Sequence, residues 1–129
     1  MLSRADILSS ADLPTEDLYV PEWNGTVRVR TLSGAERDAF EAASVQARGN
    51  NRSVNLANLR ARLAVLCLVD ADGNRLFSDL DAVGLGMKSA KALARVYDVA
   101  ARLNGLTAED AEELAKNSDG GPNAASTSS

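Results

Sequence analysis

The stretch Asp17-Leu-Tyr-Val-Pro-Glu-Trp-Asn-Gly-Thr-Val-Arg-Val-Arg-Thr-Leu32 decides the fold. Asn24-Gly25 separates two runs of strand-forming residues, and both residues tolerate the positive φ that a two-residue hairpin loop requires. After the turn, Val27, Val29 and Thr31 fall on one face and Arg28, Arg30 and Leu32 on the other, the period of a half-buried strand. Before it, Leu18, Val20 and Trp23 offer an apolar side that Pro21 interrupts; a proline belongs at a strand end or edge. The stretch predicts a two-stranded hairpin, 17–23 with 26–32. Two strands alone are marginal in water, so the rest of the chain must cover them.

Outward from the hairpin the pattern turns helical. Ser33 with Glu36 has capping-box spacing and opens a helix over 34–47, the expected cover. Ala35, Ala39, Ala42 and Ala43 keep it slim, and Phe40 is its one large anchor, against which the Trp23 ring is expected to pack. Gly49 is the expected left-handed cap, and Ser53 caps a second helix over 54–69. There Leu56, Leu59, Leu63 and Leu66 recur at three and four residues, a core stripe. From 63 to 69 the segment is apolar nearly all round, so it is central or covered by a partner.

Ser3 with Asp6 predicts a short first helix to Ser10. Asp70-Ala-Asp-Gly73-Asn predicts a tight turn, after which Leu76 and Phe77 fold back as an extended pair. Ser78 with Asp81 opens a short helix over 79–84. Ser89 opens another over 89–104, with Leu93, Val96, Tyr97, Ala100 and Leu103 as its stripe and Gly105 as its cap. Thr107 with Asp110 opens an acidic helix to about 116. The remainder, 117–129, has no large apolar side chain to offset the entropy of ordering and reads as a disordered tail. The expected fold class is α+β: one mostly α-helical domain over 1–116 with an N-terminal β-hairpin, and no more than four strands.

The residues exclude most chemistry. The 129-residue chain has no His, one Cys and a net charge of −4. The commonest neutral-pH base and metal ligand are therefore missing, and Cys67 alone makes neither an internal disulfide nor a multi-cysteine cluster. An Asp/Glu metal site stays formally open. The turn from Asp70 places glycine at position four, where a calcium loop wants it at six. Gly84-Leu-Gly86-Met-Lys88-Ser89 misses the phosphate-loop spacing, because Met87 separates the glycine from the lysine. No active site, metal or cofactor is expected, and the chain is read as a non-enzyme. No continuous apolar run reaches the length of a membrane span, and the start lacks the apolar core of a secretory signal, so the expected compartment is the cytoplasm.

Charge is uneven. Seven arginines lie in 28–62 against Glu36, Asp38 and Glu41, a local excess of four, while both ends are acidic. Arg28, Arg30, Arg60 and Arg62 could contact phosphates, but the overall sign disfavours nucleic acid. Function by protein contact is the default reading, with Trp23, Arg28, Arg30, Phe40, Leu63, Leu66 and Phe77 as structural or partner-contact candidates.

Two places carry a resemblance: Leu13-Pro14 with Val20-Pro-Glu-Trp23 and Val27-Arg-Val-Arg-Thr-Leu-Ser-Gly-Ala-Glu-Arg-Asp-Ala-Phe-Glu41, and Leu68-Val-Asp-Ala-Asp-Gly-Asn-Arg-Leu-Phe-Ser78 running into the helix that ends Ala101-Arg-Leu-Asn-Gly105. Over about residues 10–116 the chain resembles the small tail assembly chaperones of long-tailed, non-contractile (lambda-like) bacteriophages and prophages. The resemblance implies a protein that binds the tape measure protein before the tail tube polymerises, helps load tail tube protein around it, and is absent from the finished tail. It also implies that a frameshifted longer form can accompany the short one. Neither motif is catalytic, and the matched positions read as structural. Self-association stays open. So do two other classes, a phage structural or head–tail completion protein and a small nucleic-acid-binding regulator.

Overall fold

The computed structural model describes residues 1–48, 51–54 and 58–106. The expected cap at Gly49, the stripe residue Leu56, the acidic helix from Thr107 and the 117–129 tail lie outside the described residues.

The first expected cap forms. Helix α1, Arg4–Leu8, opens on Ser3, whose Oγ accepts from the Asp6 N–H at 3.2 Å while the Asp6 carboxylate accepts from the Ser3 N–H at 3.0 Å. The helix buries none of its residues.

Strand β1, Thr15–Val20, pairs antiparallel with β2, Gly25–Arg30, from Thr15 opposite Arg30 to Val20 opposite Gly25. The hairpin is real but its turn is wider than the sequence suggests. Pro21–Trp23 form a single 3-10 turn, Asn24 alone takes the left-handed conformation at φ 50°, and Gly25 already belongs to β2. Proline has no N–H for the ladder and a fixed φ, so pairing stops at Val20.

Helix α2, Gly34–Ser44, begins with the expected box between Ser33 and Glu36. It stops three residues early. The chain runs into a second hairpin, β3, Val45–Arg48, with β4, Asn51–Val54, pairing Val45 with Val54 and Arg48 with Asn51. Ser53 is therefore a strand residue and not a cap. The overlooked signal is Gly49-Asn50, a two-residue hairpin dipeptide between matched tetrapeptides. At the helix end the Ser44 hydroxyl donates to the Phe40 carbonyl at 2.8 Å, a bond that competes with helix continuation.

Helix α3, Leu59–Cys67, starts later than expected, behind Asn58 in the left-handed conformation. It also ends earlier. Strand β5, Leu68–Val69, joins the free edge of β2, with Val29 opposite Leu68 and Arg28 opposite Val69. The sheet order is β1-β2-β5, and the described strands number five, one more than the sequence reading allowed. β5 turns at Asp70, whose Oδ1 accepts from the Asp72 and Asn74 N–H groups, with Gly73 at φ 87°. The chain then folds back as expected, and Leu76 N–H bonds the Leu68 carbonyl at 3.0 Å.

A 3-10 turn, Asp79–Asp81, leads into α4, Ala82–Leu85, and then α5, Ala90–Leu103. Gly105, at φ 68°, closes α5, and Leu106 N–H reaches back to the Ala101 carbonyl at 2.7 Å, a Schellman ending. The main cover over the hairpin is α5, which packs on β1, β2 and α3, while α2 packs on α3. Val20, Val29, Leu63, Leu68 and Val96 form the fully buried centre. The architecture is α+β, an N-terminal hairpin followed by a mostly helical chain.

Candidate functional site

The candidate residues separate into three groups. Leu63 is completely buried and belongs to the core, as do Val65, Cys67, Leu68 and Val69 beside it. The apolar run 63–69 is thus central to the domain, and only Leu66 of it is half-buried. Arg28 and Arg30 are engaged within the fold. Arg28 Nε donates to Asp17 Oδ1 at 2.8 Å and its Nη1 to the Ala71 carbonyl at 3.3 Å, tying β1 to the turn after β5. Arg30 Nη2 reaches both Glu36 oxygens, at 2.6 and 2.9 Å, locking β2 to the first turn of α2. These arginines hold elements together.

The third group lines two apolar grooves. Phe40, Ala39 and Ala43 of α2 face Val65 and Leu66 of α3 across the first, which Ala82 closes. Arg62 lies 5.8 Å over the Phe40 ring and donates to Ser44 Oγ at 3.3 Å; burial lowers its pKa, and stacking on the ring compensates part of that desolvation. The second groove holds Trp23, Phe77 and Leu85, with Gly84 in its wall and the charged Asp81 and Lys88 also lining it. This corrects the expected neighbour of Trp23. Its ring is half-buried among Phe77 and Leu85 because the 3-10 turn carries it there, whereas Phe40 lies in the other groove.

Between the grooves runs the segment 79–87, which sequence reasoning did not single out. Its exposed residues include three large apolar ones, Leu80 at 91%, Val83 at 76% and Met87 at 82%, beside the exposed carboxylates Asp79 and Asp81. The available signal was the spacing of the apolar three, at three and four residues, overlooked because the short helix expected over 79–84 ends at the glycines before Met87 is reached. Gly86 has a packing reason: a Cβ there would collide with the Asn58 side chain, which donates to the Ala82 carbonyl at 2.7 Å and anchors α4 to the start of α3.

This surface offers contact rather than reaction. Burial pushes the Cys67 thiol up to about 12, so it is no nucleophile at neutral pH. Among the described residues no three His, Cys, Asp or Glu side chains converge on a metal position. No helix among them is long and apolar enough to cross a membrane.

The architecture is thus a three-stranded sheet under helices that carries two grooves and an exposed apolar segment. The sequence profile described as "Phage tail assembly chaperone" matches residues 6–117, and the chain belongs to that family. It is a family of virion-morphogenesis proteins and not of enzymes. Among solved structures, the bacteriophage HK97 tail assembly chaperone is similar in fold: 18% identity, a TM-score of 0.57, and coverage of 77% of this chain and 94% of that one. No curated protein matches the chain in sequence.

Proposed function

We propose that this chain binds its cognate tape measure protein in the host cytoplasm, keeps it soluble until tail tube protein assembles around it, and then leaves. Family membership supports the reading. The observation that carries it is the exposed apolar ridge Leu80, Val83 and Met87 between two apolar grooves, because a chaperone for an extended helical protein needs uncovered apolar surface that a helix can meet.

Co-expression of this chain with the neighbouring tape measure gene, followed by pull-down, tests the reading. A complex and a higher soluble yield are the expected result. Binding should show a negative heat-capacity change, and raising salt from about 0.05 to 0.5 M should move Kd less than about tenfold, since charge tunes encounter more than affinity at an apolar contact. A binder neutralising several phosphates would lose ~10³ or more over a narrower range. No complex, together with this chain among the proteins of purified virions by mass spectrometry, would replace the chaperone reading with a structural role.

A further inference from the structure

The charges around the ridge point to the kind of helix it takes. On most of the surface, arginine is paired internally: Arg28 with Asp17, Arg30 with Glu36, Arg37 with Glu41, Arg75 with Asp79, Arg95 with Glu22 and Arg102 with Glu16. The carboxylates of the 79–87 segment are engaged as well. Asp79 is held by Arg75, and Asp81 Oδ2 accepts from the Ser78 N–H at 2.9 Å. Lys88 and Lys91 are different. Both are exposed and neither has an ion-pair partner within 4.0 Å among the described residues. Lys91 adds to the field on Glu22, but Glu22 is already clamped by two bonds from Arg95. Lys88 lines the Trp23–Phe77–Leu85 groove, and Lys91 lies three residues further on. Asp81 lies in the same groove but is held by the Ser78 N–H, which leaves Lys88 and Lys91 as the two exposed cations beside the ridge with no ion pair among the described residues.

Geometry supplies the other half. Leu80 in the 3-10 turn, Val83 in α4 and Met87 just past its end, three and four residues apart, are all largely exposed. A ridge flanked by two grooves is what a second helix engages when side-chain rows interleave. We infer that the Leu80–Val83–Met87 ridge and the Trp23–Phe77 groove form the docking surface for an amphipathic helix of the tape measure protein, one whose apolar stripe is bordered by carboxylates that meet Lys88 and Lys91. This rests on the tape-measure reading above and names the surface and the partner chemistry.

The test uses the full chain co-purified with the cognate tape measure protein, with Kd measured for variants of the exposed residues. Leu80→Glu with Val83→Glu should weaken binding at least about thirtyfold, since two central apolar anchors are lost. Lys88→Glu with Lys91→Glu should weaken it about tenfold, mainly through slower association. Gly84→Gln keeps the falsification independent of stability. A Cβ at Gly84 meets nothing within 4 Å, so the variant should keep at least the parent's urea midpoint while adding bulk to the groove wall; about a tenfold loss is expected. Leu8→Glu, on the exposed face of α1, serves as the control and should bind normally. A wild-type chain that forms no complex overturns the tape-measure reading and this surface with it. A wild-type complex with all three variants within about twofold of it overturns this surface alone. Equal loss in Leu8→Glu overturns it as general stickiness, and loss accompanied by a change in the chain's own sedimentation reassigns the ridge to a second copy.

Discussion

The hairpin β1–β2 and the ridge at 79–87 treat their exposed side chains in opposite ways. On the hairpin, Glu16, Asp17 and Glu22 are each met by an arginine, from Arg28 within it and from Arg95 and Arg102 across on α5, at 2.6 to 2.9 Å. On the ridge, apolar side chains stand in solvent and the two neighbouring lysines have no ion-pair partner among the described residues. Arg28 and Arg30, which looked like a binding surface in the sequence, tie elements of the fold together, and the short helical segment to which the sequence reading gave no role carries the exposed apolar surface. Residue type nominates a site; whether its bonding capacity is already filled by the fold decides.

The sharpest break of this contrast is a pair of leucine truncations. Leu63→Ala in the buried centre should lose ~2–5 kcal/mol, whereas Leu80→Ala on the ridge should stay within about 0.5 kcal/mol. Urea titrations read both, and a large loss at Leu80 would make the ridge part of the core. Next in size, Glu36→Gln should cost ~1–3 kcal/mol, because Arg30, only 16% exposed, loses the carboxylate that satisfies it; an unchanged urea midpoint would show that β2 and α2 do not need this lock.

The glycines give a smaller and two-signed effect. Gly86→Ala must displace the Asn58 side chain from the Ala82 carbonyl and should destabilise by about 1 kcal/mol. Gly84→Ala points into open space and should stabilise by ~0.5–1 kcal/mol through helix propensity. Thermal melting of the two variants in opposite directions is the expected result.

Smallest is the pH response of the hairpin pairs. Hydrogen bonds from Arg28 to Asp17, and from Arg95 and the Glu22 backbone to Glu22, hold both carboxyls below their usual range. Between the folded and unfolded pKa values the unfolded chain binds more protons, so stability there rises with pH. The contribution is complete above the ordinary carboxylate range of about 4 and is lost as pH falls through the folded values. The urea midpoint should be flat from about pH 8 to 5.5 and decline below about 4; Asp17→Asn should shrink that decline.

What could be read without the structure was what depends on neighbours in sequence. The Ser3–Asp6 and Ser33–Glu36 boxes form as read, because capping joins groups three residues apart. The same holds for the Gly105 cap, for the turn at Gly73 and for the α5 stripe through Leu93, Val96 and Ala100. Of the candidate site, Phe40, Leu66, Trp23 and Phe77 do line grooves, since large apolar residues must be covered by something. That they divide between two grooves was not legible, because the 3-10 turn at Pro21–Trp23 redirects the tryptophan.

Legible in the residues alone were the caps at Ser3, Ser33 and Gly105, the leading hairpin, the α+β class and, through the pattern around residues 13–41 and 68–105, the family. That Leu68 and Val69 leave the helix depends on the fold, because an extended conformation is favoured there by the free edge of β2, some 40 residues away in the chain. The tertiary structure likewise decided that Glu16 and Glu22 are matched by Arg102 and Arg95, 86 and 73 residues distant, and that nothing in the described chain matches Leu80, Val83 or Lys88. Capping and turn formation are settled within a few residues, whereas burial and ion pairing depend on which distant surface arrives.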